Sequence, residues 1–126
     1  TDPEPSAAID FLLDSSLGLE NAAEVTSLTT DGITVTFDKG TNSNAPKYYS
    51  SGDAVRVYGG CTVTVSGAEM SKIELTFGAN DGSNEITVDN GTYADGKWEG
   101  SASSVTFTVG GTSGNRRFAK ISVTKK

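Results

Sequence analysis

At 126 residues the chain has room for one domain with a substantial core and little room for two. Sixteen acidic against ten basic residues leave a net charge of −6, and the basic residues are scattered apart from Arg116-Arg117 and Lys125-Lys126, so nucleic acid and anionic membrane surfaces are not expected partners. There is no histidine, which removes the commonest general base, the commonest zinc ligand and every histidine-dependent triad.

Thr1 to Ser6, TDPEPS, reads as a linker or an expression remnant, leaving residues 7–126 as a single β-sandwich domain. Ile9, Phe11 and Leu13 alternate as in a short strand, and the segment to Leu28 is an irregular connection with room for one helical turn. Asp31-Gly32 signals a turn, after which Ile33, Val35 and Phe37 face inward and Thr34 and Thr36 outward. A polar loop follows from Asp38 to Pro46 and delivers Tyr48 and Tyr49 to the start of the next strand.

In Ala54–Tyr58, Val55 and Val57 point one way and Arg56 and Tyr58 the other. Gly59-Gly60 then allows a reversal, and Cys61, Val63 and Val65 share a face opposite Thr62 and Thr64, so a central hairpin is predicted over this stretch. Cys61 reads as a small buried hydrophobe, because a single cysteine has no internal partner and no nearby cation in sequence favours its thiolate. Ser66 to Glu69 is expected to turn the chain into a strand with Ile73, Leu75 and Phe77 inward.

Gly78 to Asn84 is a second polar loop, leading to Ile86 and Val88. Asp81-Gly82-Ser83-Asn84-Glu85 supplies oxygen ligands at short spacing, which leaves a structural calcium ion open, although the spacing and the distant glutamate of an EF-hand are absent. In Tyr93-Ala94-Asp95-Gly96-Lys97-Trp98 the Asp-Gly pair suits a two-residue type I′ turn that pairs Ala94 with Lys97 and Tyr93 with Trp98. Val105, Phe107 and Val109 form the next inward set. The loop from Gly110 to Asn115 lacks the Gly-Lys-Ser/Thr ending and following helix of a phosphate loop and reads as a strand connection.

The last strand carries a conflict of phase: Ala119, Ile121 and Val123 share one face, Phe118 the other, and a bulge after Phe118 is the preferred resolution. About eight strands at short spacing predict an all-β fold, a two-sheet antiparallel β-sandwich of jelly-roll-like type. No apolar run approaches the ~20 residues of a bilayer span, so membrane insertion is not expected. Abundant Thr, Ser and Gly with few charges suggests a secreted or bacterial cell-surface setting.

Chemistry-bearing residues are few. No carboxylate spacing marks out the pair that a glycosidase needs, and no catalytic residue or protein-metal centre is assigned. Tyrosine, tryptophan and arginine suit noncovalent glycan binding, since sugar C–H faces stack on rings and hydroxyls accept from guanidinium groups. The candidate ligand-binding set is Tyr48, Tyr49, Arg56, Tyr58, Tyr93, Trp98, Arg116 and Arg117.

The runs TNSNAPKYYSSGDAVRVYGGCTVTVSG and DGSNEITVDNGTYADGKWEGSASSVTFTVGGTSGNRRFAKISVT resemble a module of secreted, multidomain surface proteins of gut bacteria, similar to jelly-roll carbohydrate-binding or galactose-binding-like domains. The resemblance implies a noncatalytic, extracellular accessory role beside neighbouring domains of a larger surface protein, and carries over no ligand residue; the chain itself is expected to be a monomer. Binding of a polysaccharide or other glycan is the leading expectation. A structural or adhesive spacer making protein contacts is the alternative, and a small glycoside hydrolase a third.

Overall fold

A computed structural model describes residues 9–79 and 81–126, so the expected linker over residues 1–6 lies outside the described residues. Among the described residues, eleven antiparallel strands make up the regular structure, apart from a single 3-10 turn at Ser15–Leu17. They are β1 (Ile9–Leu12), β2 (Ala23–Glu24), β3 (Ser27–Thr30), β4 (Ile33–Asp38), β5 (Lys47–Tyr49), β6 (Ala54–Tyr58), β7 (Thr62–Phe77), β8 (Ile86–Val88), β9 (Thr92–Ala94), β10 (Lys97–Val109) and β11 (Asn115–Lys125). The all-β expectation holds, and the one helical turn falls in the irregular connection where the sequence left room for it.

All eleven strands belong to one hydrogen-bonded sheet rather than two separate ones. Its main path runs β2-β5-β6-β11-β7-β10-β8, with β1 on β11, β9 on β10, and the β3–β4 hairpin on β7. Continuity comes from β7 and β10, which are 16 and 13 residues long. Along one edge of β7, Thr62–Ser66 pairs with β4 and Met70–Phe77 pairs with β11, while β10 follows the other edge. Inward residues from both stretches, among them Val63, Val65, Ile73, Phe107 and Ile121, meet in one buried apolar cluster.

The predicted turn over Ser66–Glu69 is a bend inside β7. Gly67 adopts φ of 119°, and a side chain there would collide with the Gly32 carbonyl, so the glycine lets β7 pass close beneath the β3–β4 turn without reversing. The short strands β2, β3, β5 and β9 bring the number above the expected eight. Two hairpins match their Asp-Gly signals: Asp31 and Gly32 have φ of 51° and 80°, Asp95 and Gly96 have 50° and 80°, the positive values that a type I′ turn requires.

The central hairpin does not form as expected. Cys61 N–H closes a turn on the Tyr58 carbonyl at 2.9 Å, but β6 then pairs with β5 and β11, whereas Thr62–Ser66 pairs with β4 and β10. The amides of the two glycines explain the parting, because Gly59 donates to Gly114 and Gly60 to Val109, so the turn crosses between distant parts of the sheet. In β11 the register shifts between Phe118 and Lys120, the expected bulge, and Phe118 is fully buried beside Phe77 at a ring separation of 5.4 Å.

Candidate functional site

The pleat of β5, β6 and β11 decides which candidates reach the surface. Tyr48, Val55, Val57 and Phe118 are buried, so the alternate positions Lys47, Tyr49, Arg56, Tyr58 and Arg117 lie on the opposite, outer face. Register places Lys47 opposite Arg56, and Arg56 opposite Arg117, with Tyr58 opposite Asn115.

On this face three of the eight candidates touch. The Arg56 guanidinium carbon sits 4.0 Å from the centre of the Tyr49 ring, a cation–π contact, and the Tyr58 hydroxyl donates to the Tyr49 hydroxyl at 3.2 Å. Desolvation, reinforced by that hydrogen bond, pushes the Tyr58 phenol well above its ordinary pKa and keeps it neutral. All three side chains are half-buried, which holds them in place while leaving one side to solvent. A polar hollow of about 290 Å³ lined by Thr41, Asn42, Ser43, Gly59 and Thr112 includes the residue that follows Tyr58, and Asn42 donates to the Gly59 carbonyl at 2.7 Å.

Tyr48 and Trp98 do not belong to this face. Tyr48 is 2% exposed, and its hydroxyl donates to Asp53 at 2.6 Å, which raises its pKa to about 12. Trp98 pairs with Tyr93 as expected, but its ring is wholly buried and its indole N–H donates to the Asn90 carbonyl at 2.8 Å. The assignment of Trp98 to a ligand surface is therefore corrected, since it presents no open ring face, and half-buried Tyr93 packs edge-on against Phe107 at 5.8 Å.

Arg116 and Arg117 part company because adjacent residues of a strand face opposite ways. Arg116 turns to the core side, lies 4.1 Å over the Phe77 ring, and forms a fork with Asp81 at 2.9–3.1 Å while donating to the Asn84 carbonyl at 2.8 Å. Asp81 also accepts the Arg117 amide at 2.7 Å. The carboxylate that made the Asp81–Glu85 loop resemble a calcium site is thus engaged by two arginine residues, and Asn84 ties the same loop to the Gly110 and Ser113 carbonyls. Among the described residues no group of three or more acidic or cysteine side chains is placed to hold a metal ion.

Lys47 was not among the candidates. Its signal was the alternation Lys47-Tyr48-Tyr49, which puts the lysine on the same face as Tyr49, but the pairing that sets it beside Arg56 is a tertiary fact. Comparison with family models, curated proteins and solved structures found no match.

Proposed function

We propose that this chain is a noncatalytic carbohydrate-binding module of a secreted or cell-surface bacterial protein, a β-sandwich with jelly-roll-like connections whose long strands β7 and β10 pass from one layer to the other. The observation that carries the reading is the joined set Tyr49, Arg56 and Tyr58 on the outer face of β5 and β6. Stacking on Tyr49 orients the guanidinium in advance, so its N–H groups are offered to sugar hydroxyls with little ordering left to be done on binding. The Tyr58 ring adds an apolar surface for sugar C–H groups, and two phenols add exchangeable hydrogen bonds. The resemblance of residues 41–67 and 81–124 to modules of gut-bacterial surface proteins supports the same role and setting.

Calorimetric titration against a panel of soluble glycans tests it, with Tyr58→Ala and Arg56→Ala compared in folded samples. The expected loss on removing either side chain from the face is about 1–3 kcal/mol of binding free energy. Affinities unchanged in both variants would place the site elsewhere, and no binding across the panel would remove the carbohydrate reading.

A module that makes protein contacts is favoured by one separate feature. Leu12 on β1 is 45% exposed beside a hollow of about 200 Å³ lined by Phe11, Leu17 and Leu28. That reading takes the lead if the glycan panel is silent.

A further inference from the structure

We infer that the outer face of β5, β6 and β11 takes an acidic glycan, one bearing carboxylate or sulfate groups, along a cationic row made by Lys47, Arg56 and Arg117. The inference rests on the glycan-binding reading and names the ligand class of the same face.

Direct cross-strand pairing puts the three residues side by side on three neighbouring strands, Lys47 opposite Arg56 and Arg56 opposite Arg117. Their backbones therefore span about two strand spacings, roughly 10 Å. Like charges in direct register are destabilising in a sheet, and here they are concentrated in a chain whose net charge is −6. A stabilising use would pair each with a carboxylate, yet the ion pairs among the described residues are Lys72–Glu74, Arg116–Asp81 and Lys120–Asp10, none of which involves the row.

Two carboxylates on neighbouring elements have other partners, and a third makes no ion pair with the row. Asp81 engages Arg116 and the Arg117 amide, Asp53 accepts from Tyr48, and Glu24, opposite Lys47 on β2, makes no ion pair with it. Among the described residues the Arg117 side chain donates to the Ala79 carbonyl alone, at 3.3 Å, and its buried Nε has no hydrogen-bond partner. Arg117 as a whole is half-buried, and an anion bound at the outer edge of the row would supply its guanidinium with a counter-charge. Tyr49 and Tyr58 sit along the same face, so an anionic group on the row brings its sugar ring over the phenols.

The probe set is dextran, dextran sulfate, alginate and polyglutamate, read by calorimetry at low and high salt. Dextran and dextran sulfate share a backbone and differ in charge, alginate substitutes carboxylate for sulfate, and polyglutamate carries carboxylates without sugar. Binding of dextran sulfate or alginate that weakens as sodium chloride rises from about 50 to about 500 mM, with polyglutamate bound much more weakly, is the expected result. Lys47→Gln and Arg117→Gln should each weaken it by about tenfold, the worth of one charge-assisted hydrogen bond. Lys47→Gln leaves the core untouched and decides the matter should Arg117→Gln fail to fold. Salt-independent binding of neutral glycan, unaffected by Lys47→Gln, would overturn the acidic-ligand inference while leaving the glycan reading in place. Polyglutamate bound as well as the acidic glycans would also overturn it, and silence from both charged and neutral sugars would end both.

Discussion

The indole N–H of Trp98 donates to the carbonyl of Asn90 at 2.8 Å, and this bond fixes the only tryptophan inside the core at the foot of the β9–β10 hairpin. A wholly buried indole emits at short wavelength and is shielded from quenchers, so native fluorescence should be blue-shifted and insensitive to iodide until the chain unfolds. Saturating glycan should leave it unchanged. The packing around the ring is close enough that Gly91, at φ of 72°, cannot gain a side chain without striking the indole nitrogen. Gly91→Ala should cost about 2 kcal/mol or more in urea unfolding, and Trp98→Ala about 3–5 kcal/mol.

Cys61 is fully buried, its thiol facing the Asn44 carbonyl at 3.3 Å, and desolvation raises its pKa. Both effects suppress the thiolate that reacts with disulfide reagents. Labelling should be negligible in the native protein and rapid in denaturant; native labelling at the rate of a free thiol would contradict the burial. Cys61→Val adds about one methylene's volume to a fully buried site and removes the thiol contact to Asn44, so it should cost about 1–3 kcal/mol.

Local signals were legible wherever a turn or a face is decided by a few neighbouring residues. Asp31-Gly32 and Asp95-Gly96 announced their turns, the alternation at Val55–Tyr58 gave the correct inward set, and the phase conflict at Phe118 announced the bulge. What could not be read was pairing. Gly59-Gly60 looks the same in sequence whether the flanking runs pair with each other or, as here, leave for β11 and β4, because the choice is made by the distant carbonyls of Val109 and Gly114. For the same reason Tyr48 and Trp98 read as surface candidates: each has a polar tip, and a carboxylate at Asp53 or a carbonyl at Asn90 satisfies it within the fold.

Tyr48 and Asp53 make stability depend on alkaline pH. The folded phenol titrates near 12 against an ordinary 10.0, raised first by the hydrogen bond to Asp53 and then by desolvation. Because the folded state holds this proton more tightly than the unfolded chain, the contribution is complete below pH 10 and is lost as the pH climbs from there towards 12. Tyr58 and Tyr93 are also shifted upward and add to the loss in the alkaline range. Urea midpoints measured between about pH 8 and about pH 12 should fall less steeply for Tyr48→Phe than for the parent chain, and parallel slopes would rule out this coupling.

Tyr49 and Arg56 should prove coupled even without a ligand. A guanidinium stacked 4.0 Å over a half-buried ring is attracted by the ring's negative face, and the Tyr58 hydroxyl steadies the same ring from its edge. A double-mutant cycle with Tyr49→Leu, Arg56→Gln and the pair, read by urea unfolding, isolates that attraction from the separate losses of packing and charge. The expected coupling is about 0.5–1 kcal/mol, in the range of partly exposed cation–π pairs. Relief of crowding with Lys47 and Arg117 acts in the opposite sense in Arg56→Gln, since that change removes the middle charge of the row, so the single variant should be less destabilised than the coupling energy alone implies. Raising the salt concentration should shrink this relief by screening the row while leaving the stacked contact nearly constant, and a coupling that vanished in high salt would mean that Arg56 responds to the field of its neighbours rather than to the Tyr49 ring.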